Sequence, residues 1–374
     1  MRNVLMIVSL VLSILIGLVI ARGGGVGAGS GVTAKGGKIV VGLSLDTLKE
    51  ARWQADRDLF VKRCSELGAE VKVQSANSDD SAQIRDVESL LTAGVNVLVI
   101  VPHDGLAMAR GVEMANKAGV PVIAYDRMIR DCDLDLYLSF DNVKVGEMQA
   151  KYLLDHLPTP GKGSIVRIYG APTDNNARLF KEGQDNVLKP YMDRGDIKVV
   201  HEDWAEDWKP ENAKRITNAA ISKGEKFDGI LVSNDGTAGG AVQALMEEGL
   251  AGKVVVTGQD AELAASQRIV GGTQAMTVYK PLKILATTAA EVAVKMARGK
   301  SVVARQTIAN GKSDVPSVLC DIIAVDKHNI VQTVIADGFL AYDDVYRSVP
   351  ENQRPARPKV ADAKPVDAAA SAPK

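Results

Sequence analysis

Cysteine is scarce in this sequence and badly placed for cross-linking. The 374 residues hold three, Cys64, Cys132 and Cys320, odd in number and far apart, with no CxxC pair and hence no disulfide framework. Histidine is almost as rare. His103, His156, His201 and His328 are scattered and no HExxH occurs, which leaves no zinc set. Neither sign of charge dominates: 45 Lys and Arg stand against 46 Asp and Glu, a net charge of −1 that excludes a broad phosphate-neutralising face and with it a nucleic-acid partner. Phosphate loops are absent too. GKS occurs at Gly299 and Gly311, but the glycine required five positions earlier is Val294 or Gln306. No G-x-S-x-G elbow appears. Asp126 and Asp260 have the chemistry for acid–base work, yet nothing marks a nucleophile or a leaving-group pocket, so a non-enzymatic protein without cofactor or metal is expected. Aromatics make up only 4% of the chain, which makes each of Trp53, Trp204 and Trp208 informative.

What is present forms a core. Hydrophobic residues reach 46% and charged residues 24%, and the length predicts two domains. After Met1 comes an uncharged run over residues 4–21. As a helix it covers about 27 Å, the reach of a long signal-peptide core or an uncleaved anchor, and either one exports the chain. Small residues at Ala21 and Ala34 fit cleavage sites. Residues 23–37 read as a Gly-rich linker, and residues 350–374, with five of the 14 prolines, as a disordered tail.

Between these ends, β-branched runs alternate with amphipathic segments. Strands are predicted at 38–45, 70–76, 95–102, 120–126, 135–141, 164–170, 197–203, 227–234, 253–260 and 273–279, with further strand-like sequence at 318–325. Near-continuous apolar runs such as VLVIV suit parallel strands covered on both faces. The first helix is expected to start at a Thr47–Glu50 capping box, to bury Trp53, Phe60, Cys64 and Leu67, and to stop at Gly68; a long helix is expected from Pro281 to Arg298. The fold class is α/β, doubly wound, and the number of strand–helix units favours two similar lobes, each with its own parallel sheet.

In such folds ligands sit beyond the carboxyl ends of the strands. Here those ends read Leu45-Asp46, Tyr125-Asp126-Arg127, Asp174-Asn175-Asn176, Ser233-Asn234-Asp235 and Gln259-Asp260. Carboxylates, amides and a guanidinium in one place suit the paired hydroxyls of a small polyhydroxylated molecule, and indole faces of Trp53 and Trp208 suit its C–H side. Plainer roles stand beside these: helix N-caps for several of the acids, a surface ion pair for Asp126 and Arg127, core packing for Trp53. Lys280 resists a plain role, because a cation just before Pro281 sits where a helix dipole disfavours it.

Taken together, ARWQADRD (51–58), VQSAN (73–77), VLVIVPHDG (97–105), AYDRMI (124–129), DNNA (174–177), DWKPENA (207–213), SNDGTAGGAVQAL (233–245), GQDAELA (258–264), TVYKP (277–281) and DVPS (314–317) resemble the pentose- and hexose-binding group of periplasmic binding proteins that serve ABC importers. Within that group the likeness is to the D-xylose-binding members, over about residues 38–339. The resemblance implies two Rossmann-like lobes joined by a three-crossover hinge, with residues 38–142 and 276–310 in the first and 143–275 and 311–349 in the second. It places Arg52, Trp53, Asp126, Arg127, Asn176, Trp208, Asn234, Asp260 and Lys280 around one monosaccharide, the indoles stacking and the others hydrogen bonding. Glucose-, galactose- and arabinose-binding relatives share AYDR, DNNA and GQDAE but not DWKPEN, which favours xylose. The implied partners of a periplasmic monomer are a permease with its ATPase, or alternatively a chemoreceptor or sensor. Sugar-responsive repressors share the two-lobe body but begin with a DNA-reading headpiece, where this chain has its apolar run. That run and the Pro/Ala tail depart from the family pattern and bear on tethering alone.

Overall fold

A computed structural model describes residues 37–358 except Glu225 and Arg305, so the apolar run at 4–21 and most of the Gly-rich segment lie outside the described residues. The first lobe alternates strand and helix: β1 (Ile39–Leu45), α1 (Ala51–Glu66), β2 (Ala69–Ser75), α2 (Asp80–Thr92), β3 (Val97–Val101), α3 (Ala109–Lys117), β4 (Val122–Tyr125) and β5 (Leu136–Phe140). The second continues with α4 (Asn142–His156), β6 (Gly163–Tyr169), α5 (Asn175–Asp193), β7 (Ile197–Trp204), α6 (Pro210–Ser222), β8 (Gly229–Val232), α7 (Asp235–Glu247), β9 (Val255–Val256), α8 (Leu263–Val270) and β10 (Met276–Tyr279). Last come α9 (Leu282–Ala297), β11 (Gln306–Ala309), β12 (Asp314–Cys320), β13 (Ile323–Asp326) and α10 (Tyr342–Val345).

The first sheet has the order β11-β12-β5-β4-β3-β1-β2, parallel except for β11. Its central strand β3, VLVIV, is buried on both faces, as a strand covered by helices must be. Leu45, Ser75 and Val101 are level in register, so the loops after β1, β2 and β3 open on one edge. The second sheet runs β7-β6-β8-β9, and a bridge from Gln259 to Val278 adds the antiparallel pair β10-β13. The chain passes between lobes three times, after Phe140, after Tyr279 and after Cys320.

Several expectations change. The strand-like stretch at 318–325 is two strands in different sheets, divided at Asp321-Ile322. Hydrogen bonding puts β12 in the first sheet and β10 in the second, so the breaks fall near 280 and 321 rather than at 276 and 310. The capping box does not form: Glu50 is the N-cap of α1 without a side-chain bond, and Thr47 Oγ1 accepts from Lys49 N at 3.1 Å in a local turn. Pro281 caps α9 rather than occupying its first turn. Of the tail expected to be disordered from 350, residues 350–358 carry a short 3₁₀ turn at Glu351–Gln353, Tyr342 Oη donating to Pro355 O at 2.6 Å and Arg357 paired with Asp343, and residues 359–374 lie outside the described residues. The three cysteines are free and buried, and burial pushes the Cys64 thiol up to about 12, an inert apolar filler.

Candidate functional site

The carboxyl ends of both sheets face one cleft, and the helix caps there hold the polar groups in place. Asp174 caps α5, accepting from Asn176 N at 2.9 Å through Oδ1, while Oδ2 accepts from Trp208 Nε1 at 3.2 Å and pairs with Arg127 Nε at 2.9 Å. Asn234 caps α7 through Thr237 N at 3.0 Å. The cap role and a role in the cleft are therefore one arrangement rather than alternatives.

Arg52 projects from the first turn of α1 into three carboxylates: Asp56 at 3.3 Å, Asp126 in a close pair, and Asp260 of the other lobe at 3.1 Å. Arg127 likewise joins Asp46 of its own lobe at 2.8 Å to Asp174 of the other. Asp126 and Arg127 are thus not a surface ion pair; both are buried and each is paired elsewhere. Lys280, at the second crossover and 1% exposed, reaches Asp260 at 3.1 Å with its ammonium over the rings of Phe140 and Phe180. A buried ammonium needs such a partner, and this explains a lysine where the helix dipole argues against one.

Asp126 and Asp260 both have positive φ, 62° and 96°, a left-handed backbone that costs a non-glycine residue energy. At Asp126 the turn is fixed from below: its carbonyl accepts from Ser139 Oγ at 2.6 Å, Tyr137 Oη at 3.0 Å and Asn176 Nδ2 at 3.0 Å. The two indoles stand in the same cleft. Trp53 lies on the core face of α1 and also lines the cavity, with the guanidinium carbons of Arg52 and Arg127 at 4.4 and 5.2 Å from its ring centre. Trp208 sits in a left-handed turn and lies against Gly170, where a Cβ would fall 1.9 Å from the ring. Trp204 packs on Tyr169 instead and does not line the cavity.

All nine sequence-predicted residues line one cavity between the lobes. Five more join them: Glu50, Asp174, Phe180, Gln259 and Glu262. Asp174 and Gln259 lie at strand ends already marked as polar. Phe180 is one helical turn beyond Asn176, a spacing that puts both on one face of α5. Glu50 and Glu262 are the N-cap positions of α1 and α8; the sequence marks the first only as a capping residue and gives the second, though within GQDAELA, no site role.

Electrostatically the lining balances. Three cations are shared among five lining carboxylates and their neighbours, so directional donors and acceptors abound while no cation lacks a counter-charge. Burial alone would raise the Asp126 carboxyl, but Arg52 and Lys280 outweigh it and hold it low. At Asp174 burial outweighs Arg127 and the carboxyl moves up. Burial pushes Glu262 up to about 7, with the Asp260 charge adding to it. Such a lining suits a neutral molecule rich in hydroxyls; an anion would meet carboxylates already competing for each cation. Among the described residues no three His, Cys, Asp or Glu are placed to hold a metal ion.

A family profile described as "Periplasmic binding protein domain" matches residues 41–301. The D-xylose-binding periplasmic protein of Escherichia coli (strain K12) is 50% identical over 309 residues, 82% of this chain and 93% of that protein. The multiple sugar-binding periplasmic receptor ChvE of Rhizobium radiobacter is 34% identical over 82% of this chain and 92% of its own length. Among solved structures, the carbohydrate transporter solute binding protein of Chloroflexus aurantiacus in complex with D-glucose matches with TM-score 0.77 and 33% identity, covering 82% of this chain and 98% of that one.

Proposed function

The chain belongs to the periplasmic binding protein family, and from that membership we propose that it captures D-xylose between its two lobes in the periplasm and delivers it to an ABC importer, binding its ligand without transforming it. The observation that carries this reading is the cavity itself. Two indoles and three carboxylate-paired cations, drawn from both lobes, converge on one cavity. The names of the D-xylose-binding relatives from Escherichia coli and Haemophilus influenzae, 50% and 48% identical, supply the sugar.

In this reading Trp53 and Trp208 stack on the apolar C–H faces of the sugar ring. Arg52, Arg127, Lys280, Asn176 and Asn234 donate to hydroxyl oxygens, while Asp126 and Asp260 accept hydroxyl protons. Because Arg52–Asp260 and Arg127–Asp174 already join the lobes, the closed arrangement is largely pre-built. Sugar that contacts both sides shifts the population further toward it. The closed form is then what an importer's permease recognises. The relative called a receptor supports a second reading, in which a membrane sensor is the partner.

Isothermal titration of the full-length protein with D-xylose, D-ribose, L-arabinose, D-glucose and D-galactose tests the proposal. Strong preference for xylose is expected. A hexose preference keeps the site and replaces the substrate; heat-silent mixing with all five overturns the sugar reading. Loss of xylose uptake on deletion, with sensing intact, separates importer from sensor.

A further inference from the structure

Outside the sugar contacts, one titratable side chain spans the mouth of the cleft. His103 follows β3, and its place in the first lobe is fixed twice: its backbone N donates to Gln83 Oε1 at 2.9 Å, and its ring Nδ1 lies 2.8 Å from Asp80 Oδ1 on α2. The other ring nitrogen, Nε2, is buried, makes no hydrogen bond, and lies 3.6 Å from Asp207 Oδ1 of the second lobe. Asp207 immediately precedes Trp208, and both residues are left-handed, with φ of 52° and 56°. Anything that anchors Asp207 therefore anchors the strained turn that aims an indole into the cavity.

The tautomer makes this a proton-dependent contact. A neutral imidazole that donates from Nδ1 to Asp80 has a lone pair on Nε2, which would face the Asp207 carboxylate. Protonation replaces that lone pair with an N–H and lets the ring bridge carboxylates of the two lobes. We propose that His103 is a positioning residue that latches the lobes when protonated, holding Asp207, and through it Trp208, over the bound sugar, so that affinity strengthens as pH falls. This rests on the sugar reading of the cleft.

The surroundings agree in sign. Around the ring are Asp80 from α2, Asp46 and Glu50 from the loop before α1, Arg127 after β4, and Asp207 with its partner Lys209 (2.7 Å) from the second lobe, while the neighbouring Asp104 accepts from Leu106 N and Ala107 N in its own turn. Burial disfavours the charged ring, but the hydrogen bond to Asp80 and the charges of Asp46 and Asp80 outweigh it and raise the histidine above its ordinary value. Glu50 is raised by burial and titrates near the same cleft, so the test reads a difference between variants rather than one pH profile.

Full-length wild type, His103→Gln and Asp207→Asn are titrated with D-xylose from pH 5.5 to 8.5. Wild type is expected to bind about fivefold tighter than either variant at the acid end and equally at the alkaline end, the size of a modest coupling between sites. A wild-type to His103→Gln ratio that stays constant with pH overturns the latch. In parallel, the His103 ring-proton midpoint is followed by NMR, with xylose and without it. Asp207→Asn is expected to lower that midpoint, and an unchanged midpoint also overturns the latch. Should no sugar bind at any pH, the proposed substrate falls, while the ligand-free midpoints still judge the His103–Asp207 contact.

Discussion

Arg127 bridges the two lobes, and among the described residues it is the cation that pairs with both Asp46 and Asp174. Removing it strands two buried carboxylates, which costs about 3–5 kcal/mol when one partner of a buried pair is lost. Arg127→Ala is therefore expected to lose most xylose affinity and to melt well below wild type at pH 8. The deficit shrinks toward pH 5. The Asp174 carboxyl, already raised by burial, rises further without Arg127 and takes up a proton there. Thermal melts at both pH values check this; a deficit independent of pH would show that Arg127 acts by packing alone. Glu262 gives a second pH signature. Its folded-state value of about 7 lies above the ordinary 4.5, so the native state holds the extra proton between those values. Its contribution is full below about 4.5 and is lost as pH rises through 7. Glu262→Gln, a permanent mimic of the neutral acid, is expected to flatten the stability profile over that window, read by denaturant midpoints at successive pH values.

At the scale of elements, α4 and α5 cross on a reciprocal pair of glycines. A Cβ at Gly146 would fall 2.0 Å from Phe180 O, and one at Gly183 would fall 1.9 Å from Val143 O. The helix backbones themselves are in contact, so neither side chain can be accommodated by a rotamer change. Because α5 also carries Asn176 and Phe180, this crossing sets the depth of the cavity floor. Gly183→Ala is expected to cost about 1–3 kcal/mol, the usual cost of overpacking, and to weaken xylose binding by pushing α5 outward. Urea titration and calorimetry measure the two effects; lost stability with unchanged affinity would separate the floor from the crossing. Gly170→Ala is expected to displace Trp208, whose ring fills the space a Cβ would need, and to weaken xylose binding in the same calorimetric measurement.

For the whole molecule, three crossings join the two lobes, and the ion pairs Arg52–Asp260, Arg127–Asp174 and Lys280–Asp260 span or cap the cleft between them. A ligand that binds only the native, closed form stabilises it by mass action, about 2.7 kcal/mol at a hundredfold excess over Kd. Saturating xylose is expected to raise the melting temperature by several degrees, with galactose raising it less; equal shifts for both would remove the preference for xylose.

The sequence by itself determined the alternation of strand and helix and the polar strand ends, because each of these is written locally; the full set of nine lining residues, Arg52 above all, comes from the family resemblance. Burial on both faces shows as an unbroken apolar run such as VLVIV, and a cap or a strand end shows as a polar residue at a fixed offset. The partners of those residues were not legible. Asp126 adjoins Arg127 in the chain yet pairs with Arg52, which in turn reaches Asp260 across 208 positions. The stretch at 318–325 reads as one strand but divides between two sheets. Glu50, Phe180 and Glu262 enter the site because the N-terminal ends of α1, α5 and α8 meet at one cleft. Local patterns record what a residue's own element requires. Which carboxylate neutralises which cation is decided only when the two lobes meet, since charge pairing depends on separation in space rather than along the chain.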